Sequence, residues 1–221
     1  MKRIFALALG LLFLASCGAG GTDKPAGPRL IAEWPENDIT LYMVEEGTVL
    51  LRHGTEEATF SGWGKPWIGL DYQIGMGYYD IDGDGLNELA VSTQVEHGET
   101  WSENLHIITL EKQPWEDHVF TTGDVAAWFG KRLQYRRGET ENTAEVTLGN
   151  KTWKVRLSKP ELNLADPAID HCMYPLLGGE IVLRAGSFAI DGDFPAKVTF
   201  DGEQFDIVDA YYLPAVYSGG G

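Results

Sequence analysis

From about residue 38 onward, apolar and polar residues alternate in short runs, the period expected of half-buried β-strands. Three pairs of such runs flank turn-forming sequences and predict β-hairpins, with turns at Glu45-Glu46-Gly47, Gly149-Asn150 and Asp201-Gly202. Two further segments, 105–110 and 180–184, are rich in the β-branched and other apolar residues that strands favour. The pattern therefore predicts a chain built mainly of short antiparallel strands.

A single segment has the features of a helix. Thr122 is placed to cap residues 123–129, and Asp124 lies in the first turn, where the helix dipole favours a negative charge. Gly130 ends the segment. We therefore predict a mainly β fold of antiparallel sheets, arranged as a sandwich or as a curled, barrel-like structure, with one short helix.

The N-terminus differs sharply from the rest of the chain. Met1-Lys2-Arg3 precedes an apolar stretch, 4–14, whose length suits a secretory signal and is too short to span a bilayer. The junction Leu14-Ala15-Ser16-Cys17 resembles the lipobox of bacterial lipoproteins, which implies cleavage before Cys17 and attachment of lipid, including palmitate, to that residue. The alternative is an ordinary signal peptide with an incidental cysteine. We expect a lipid-anchored protein on the extracytoplasmic face of the cell membrane or envelope.

These features divide the chain into three segments. Residues 1–16 are predicted to be the lipoprotein signal peptide, and residues 17–35, rich in Gly and Pro at their start, a lipidated tether. Residues 36–217 form the β-rich domain, either around one core or as two halves, 36–120 and 131–217. The sequence leaves that choice open.

Composition narrows the range of partners. The 221 residues include 33 Asp and Glu against 17 Lys and Arg, a formal net charge of −16. A chain this acidic disfavours nucleic acid and favours divalent cations or basic ligands. With Cys17 acylated, Cys172 is the only other cysteine, so no internal disulfide is expected. Because no GxSxG, HExxH or phosphate-loop motif is present, the sequence does not favour an enzyme.

The strongest chemical signal is a DxDxDGxxE pattern at residues 80–88. Calcium prefers six to eight oxygen ligands, and this spacing curls several carboxylates around one point. Four carboxylates so close together repel one another unless a cation lies among them. The alternative is a solvated Asp-Gly turn between two strands. The predicted ligands are the carboxylates of Asp80, Asp82, Asp84 and Glu88 and the backbone carbonyl of Leu86.

The loop differs from an EF-hand, because Val91 occupies the position of the closing glutamate and strand-like sequences flank it. It resembles instead the calcium loop of FG-GAP and VCBS repeats, which integrin propeller blades share. Those proteins carry several copies, whereas this chain has one, since Asp191-Gly192-Asp193 lacks the remaining ligands. The resemblance therefore implies a structural calcium site and not a propeller.

Two tryptophans lie in the Gly- and Pro-containing segment 61–67. Trp63 and Trp67 could form a flat surface on which a sugar or peptide ligand stacks. The alternative is that both rings fold back over the sheet.

Taken together, the lipobox, the strand 38–42 and the loop 80–89 resemble those of bacterial surface lipoproteins from Gram-positive anaerobes. That resemblance implies no activity beyond calcium binding at the cell surface. We therefore expect a non-enzymatic binding or assembly module whose extracellular ligand is a carbohydrate or a protein. An envelope-associated hydrolase or accessory protein acting on polysaccharide is the alternative.

Overall fold

A computed structural model describes residues 27–64, 74–97, 100–111, 113–158, 169–177 and 179–215. Within these residues the chain forms seventeen β-strands, one α-helix and one 3₁₀ turn, and the strands lie in four antiparallel sheets. The predicted mainly β fold of antiparallel sheets with one short helix is confirmed. The predicted signal peptide and Cys17 lie outside the described residues.

Sheet A is a four-stranded meander in the order β1-β2-β3-β4. The first predicted hairpin is present in it, because Glu45 pairs with Thr48 across Glu46-Gly47. Gly47 has a φ of +73°, which glycine adopts at little cost. The strands are β1 (Arg29–Trp34), β2 (Ile39–Glu45), β3 (Thr48–His53) and β4 (Glu56–Ser61), with the 3₁₀ turn (Pro35–Asn37) between the first two.

Sheet B is a second meander, in the order β5-β6-β7-β8, and it forms the middle layer of the molecule. Leu89 and Val91 belong to an apolar cluster shared with sheet A, whereas Ala90 belongs to a cluster shared with the C-terminal elements. Because consecutive side chains of a strand point to opposite faces, both faces of this sheet are covered. Its strands are β5 (Gly75–Tyr79), β6 (Glu88–His97), β7 (Thr100–Thr109) and β8 (Glu116–Phe120).

The helix α1 (Thr122–Gly130) follows sheet B. Its N-cap is Thr121 and not the predicted Thr122, because Thr121 and Asp124 bond reciprocally. The Thr121 side chain accepts the N–H of Asp124 at 3.2 Å, and the Asp124 carboxylate accepts the N–H of Thr121 at 2.9 Å. This capping box satisfies two N–H groups that the helix itself leaves unpaired.

Sheet C follows the helix, with strand order β11-β10-β9. Its strands are β9 (Leu133–Arg137), β10 (Thr143–Leu148) and β11 (Lys151–Arg156). The second predicted hairpin is present here, since Leu148 pairs with Lys151 across Gly149-Asn150.

Sheet D contains the path β12-β14-β15-β16, with β13 paired to β14 and β17 to β15. Phe200 pairs with Phe205, so four residues, 201–204, connect β15 to β16 where the sequence predicted a two-residue turn on Asp201-Gly202. The Asp201 carboxylate accepts the N–H groups of the third and fourth residues of this connection and holds it closed. The strands are β12 (His171–Met173), β13 (Leu176–Leu177), β14 (Glu180–Gly186), β15 (Gly192–Phe200), β16 (Phe205–Val208) and β17 (Leu213–Pro214).

The larger apolar cluster contains residues from both halves of the domain. Phe120 of sheet B stacks on Phe205 of sheet D, with ring centroids 4.9 Å apart, and Phe129 of α1 lies 5.4 Å from Phe194. Sheets B, C and D and the helix therefore pack around one set of side chains. Across the part of the chain that the structure describes, no helix combines the length and apolar character needed to cross a bilayer.

Candidate metal site and ligand groove

The loop that joins β5 to β6 is coiled by hydrogen bonds between its carboxylates and its own backbone. Asp80 accepts the N–H of Gly83 at 2.8 Å and the N–H of Gly85 at 3.1 Å. Asp82 and Asp84 each accept the N–H two residues further on, at 2.9 Å. Gly83 and Gly85 have φ values of +81° and +89°, a region that side chains with a Cβ rarely adopt. Gly83 and Gly85 thus allow the backbone of the loop to coil.

This coil brings three of the four predicted carboxylates together. Oxygen atoms of Asp80, Asp82 and Glu88 all lie within 4.8 Å of one another, a group that could hold a metal ion. Asp80 is exposed, Asp82 is half-buried and Glu88 is only 1% exposed. The group is therefore open on one side and closed by the start of β6 on the other.

Two of the predicted ligands, Asp84 and the carbonyl of Leu86, are not part of that group of carboxylates. Asp84 is exposed, and its Oδ1 accepts the N–H of Leu86. Ligation by the Leu86 carbonyl stays a prediction, as does a role for Asp84. The loop conformation nevertheless keeps both residues on the same nine-residue coil.

Glu88 is a buried carboxyl among other negative charges. Burial raises the pKa of Glu88 above its ordinary value of 4.5, and the charges of Asp82 and Asp84 raise it further. Hydrogen bonds from the N–H groups of Ile81, at 2.8 Å, and of Asp82 act in the opposite direction. A cation beside Glu88 would compensate the charge that the protein interior does not solvate.

The loop 80–88 approaches the turn between β15 and β16. A Cβ atom at Gly202, where φ is +93°, would lie 3.1 Å from Oδ2 of Asp82. The partly buried side chain of Ile81 packs against the large apolar cluster. The candidate metal site therefore lies where sheet B meets sheet D.

Trp63 is buried, with 1% of its surface exposed. Its ring stacks on that of His106, with centroids 4.1 Å apart and planes 23° from parallel, and its indole N–H donates to Asp117 at 2.8 Å. A ligand cannot stack on a ring in this position, so the predicted stacking role does not fit Trp63. The alternative, a ring folded back over the sheet, describes it. Trp67 lies outside the described residues.

A groove of about 710 Å³ lies between β8, the C-terminal part of α1 and the turn 201–204. Its walls include the half-buried Trp128, whose indole N–H donates to Asp206 at 2.8 Å. The guanidinium carbon of Arg132 lies 4.1 Å from the centroid of the Trp128 ring. Nη1 of Arg132 also donates a hydrogen bond to the backbone carbonyl of Trp128 at 3.1 Å. These bonds hold Trp128 and Arg132 in one arrangement.

The remaining wall of the groove is mixed in character. Lys131, Glu203 and Gln204 contribute exposed polar groups, and Phe205 contributes an apolar one. Sequence reasoning missed this groove because its residues come from three separate stretches of the chain. The four-residue spacing of Trp128 and Arg132, across the end of α1, is the single local signal for any part of it.

Two of the acidic residues on the groove are engaged in structural hydrogen bonds. Both oxygens of Asp117 lie 3.1 Å from Nδ1 of the buried His106, and Asp117 also accepts from Trp63. Asp124 closes the capping box of α1 with Thr121. Both carboxylates therefore have hydrogen-bond partners within the protein.

No family model, curated protein or solved structure matches this chain.

Proposed function

We propose that this protein is a lipid-anchored, extracytoplasmic binding module whose 80–88 loop is stiffened by calcium. The observation that carries the proposal is the convergence of Asp80, Asp82 and Glu88 oxygens within 4.8 Å at the junction of two sheets. Ligands on opposite sides of a calcium ion, with bonds of 2.3–2.6 Å, are about 5 Å apart, so this separation suits one ion. Asp84 and the carbonyl of Leu86 would complete the set of oxygen ligands.

Calcium has a structural role in this proposal. Dissociation constants of extracellular calcium modules are of the order of 10⁻⁴–10⁻³ M, and 1 mM calcium would then stabilise the fold by about 0.4–1.4 kcal/mol. Such a gain orders the loop and the turn beside it without being required for folding.

The metal part is tested with a double substitution. Asp82→Ala with Asp84→Ala should abolish the calcium-dependent rise in melting temperature, measured by calorimetry after chelator treatment. Asp191→Ala with Asp193→Ala is the matched control, because it removes the same charge from the incomplete Asp-Gly-Asp segment and should leave the response to calcium intact. An unchanged response to calcium in Asp82→Ala with Asp84→Ala would indicate that the loop is a solvated turn and not a calcium site.

The lipid anchor rests on the sequence Leu14-Ala15-Ser16-Cys17. Two or more acyl chains give stable attachment, whereas one binds only marginally. In cells given labelled palmitate, the label should be incorporated into the parent protein and not into the Cys17→Ser variant. Equal labelling of both proteins would exclude Cys17 as the acceptor.

The groove supports a binding role. It offers an aromatic residue, Trp128, with fixed polar neighbours, a combination that suits a carbohydrate. Hydrolysis of a glycoside uses a pair of carboxyl groups, and of the three acidic residues that line the groove, Asp117, Asp124 and Glu203, the first two accept structural hydrogen bonds. This favours a binding module over the alternative hydrolase.

A polysaccharide screen separates these two functions. Binding without release of reducing ends, weakened by Lys131→Ala with Gln204→Ala, would support the binding module. Lys151→Ala with Gln134→Ala is a control on sheet C. Turnover of a polysaccharide that is lost in the first variant would support the hydrolase instead.

A further inference from the structure

Positive charge in this acidic protein is concentrated on the strands of sheet C. The strands of sheets A, B and D together contain four Lys or Arg and twelve Asp or Glu, and those of sheet B contain no Lys or Arg. The three strands of sheet C contain one acidic residue, Glu145, and five basic ones. These are Arg136, Arg137, Lys151, Lys154 and Arg156.

The pairing register places three of these cations on one face. Ala144, Val146 and Leu148 of β10 are buried, so Glu145 between them points to the opposite, outer face. Glu145 pairs with Arg136 on one side and with Lys154 on the other. Arg156, two residues beyond Lys154, shares that face. Arg136, Lys154 and Arg156 are all exposed.

The acidic partners on this face are too few to neutralise it. Glu145 forms an ion pair with Arg136, whose side chain stays 79% exposed. Arg156 approaches Asp191 only to 3.7 Å and is 70% exposed. Among the described residues Lys154 has no ion pair. The face therefore keeps a positive charge on a chain whose formal net charge is −16.

The spacing of the cations follows from sheet geometry. Neighbouring strands are about 4.8 Å apart, so Arg136 on β9 and Lys154 on β11 are separated by about 10 Å across the sheet. Lys154 and Arg156 are about 7 Å apart along β11. Glu145 lies between Arg136 and Lys154 on the middle strand, whereas the hydroxyls of Thr147 and Thr152, 2.9 Å apart, lie in the neighbouring row on the side away from Arg156. An anionic chain lying along β11 would meet Lys154 and Arg156 in succession.

We infer that the outer face of sheet C, defined by Arg136, Lys154 and Arg156, is a docking surface for a linear phosphodiester polymer. Guanidinium groups bind phosphate oxygens through two parallel hydrogen bonds, and Lys154 adds a point charge. A narrow polymer can reach this face alone, whereas a membrane surface or a second copy would also meet the acidic remainder of the molecule. The inference is independent of the calcium site and of the groove.

The test uses the full chain carrying Cys17→Ser, so that no lipid contributes. The probe is inorganic polyphosphate of defined length, a phosphoanhydride chain that presents one negative charge per phosphate as a phosphodiester polymer does. It is titrated in calcium-free buffer over a series of NaCl concentrations. About three phosphate contacts on a flexible chain should give a slope near −2 for log K against log salt. Lys154→Gln with Arg156→Gln should lower the affinity at least tenfold and bring the slope to about −1.

Arg52→Gln with Lys197→Gln is the matched control, because it removes two exposed cations from sheets A and D. Its affinity for polyphosphate should stay within twofold of the parent. Absence of binding by the parent, or equal losses in the two double variants, would overturn the inference. The inference would also be overturned if the Lys154 and Arg156 substitutions removed binding to anionic vesicles, or removed self-association, and left binding to polyphosphate unchanged.

Discussion

At the scale of single residues, Glu88 is the position where the fold and the candidate metal site conflict most directly. Glu88 is the first residue of β6, and the apolar residues that follow it place this position in the protein interior. The DxDxDGxxE pattern, however, requires a carboxylate at the same position. The result is a buried acid whose pKa is raised by burial first and by neighbouring charges second. A cation relieves both effects.

Glu88→Gln should therefore stabilise the calcium-free protein at neutral pH, because the amide keeps an oxygen that accepts the N–H of Ile81 and removes the buried charge. It should also weaken the rise in melting temperature that calcium produces. Melting curves in EDTA and in calcium measure both effects. Glu88→Asp keeps the charge and serves as the control; a full calcium response in Glu88→Gln would contradict the assignment of Glu88 as a ligand.

Asp201 gives a prediction about pH. Hydrogen bonds from the N–H groups of Gln204 and Glu203 lower the pKa of Asp201 below its ordinary value of 3.8. A carboxyl with a lowered pKa in the folded state stabilises that state above pH 3.8, and this contribution is lost as the pH falls through the folded-state pKa. The difference in unfolding free energy between the parent and Asp201→Asn should be constant near neutral pH and shrink below about pH 4. Urea unfolding at a series of pH values measures it, and a difference that grows on acidification would contradict the sign.

At the scale of elements, the helix and the turn 201–204 show how side chains set the ends of secondary structure. In both, a carboxylate accepts N–H groups close to it in sequence: Asp124 at the start of α1 and Asp201 in the turn. The sequence indicated both locations. It misplaced the cap by one residue because Thr121 and Thr122 are both able to accept, and the reciprocal bond to Asp124 decides between them.

Removing the cap of α1 should have a measurable cost. Thr121→Ala should lower the unfolding free energy by about 1 kcal/mol, the usual effect of losing an N-cap side chain. Thr121→Ser keeps the hydroxyl and should recover most of the loss. Chemical denaturation measures both values, and an effect of Thr121→Ala no larger than that of the serine variant would argue against the capping box.

At the scale of the whole molecule, the large apolar cluster makes sheets B, C and D and the helix dependent on one another. Phe129 of α1 is fully buried in it, beside Phe194 of sheet D. Sheet A joins through the second cluster, on the opposite face of sheet B. A middle layer with two covered faces couples everything packed against it.

Phe129→Ala should therefore destabilise the protein by about 3–5 kcal/mol while unfolding stays a single transition. Calorimetry and far-UV circular dichroism should report the same midpoint. Gln134→Ala, on the exposed face of β9, is a control expected to change stability by less than about 0.5 kcal/mol. Two separate transitions, with one unaffected by the Phe129 substitution, would indicate independent halves.

Local patterns were sufficient for much of this protein. Strand alternation, the hairpin turns at Gly47 and at Gly149-Asn150, and the coil around Asp80 and Asp82 depend on residues close in sequence. Their conformations follow from side-chain period, from glycine at positive φ and from short-range hydrogen bonds. The antiparallel, mainly β class followed from the same features.

Tertiary packing decided the rest, because it depends on which distant surfaces exclude water together. The burial of Trp63 against His106 and the groove beside Trp128 each need contacts between segments tens of residues apart. Composition gives the net charge of the chain, but it does not show on which sheet the positively charged residues lie. Neighbours along the chain set the conformation of a loop, whereas burial and charge at a site come from the elements that fold against it.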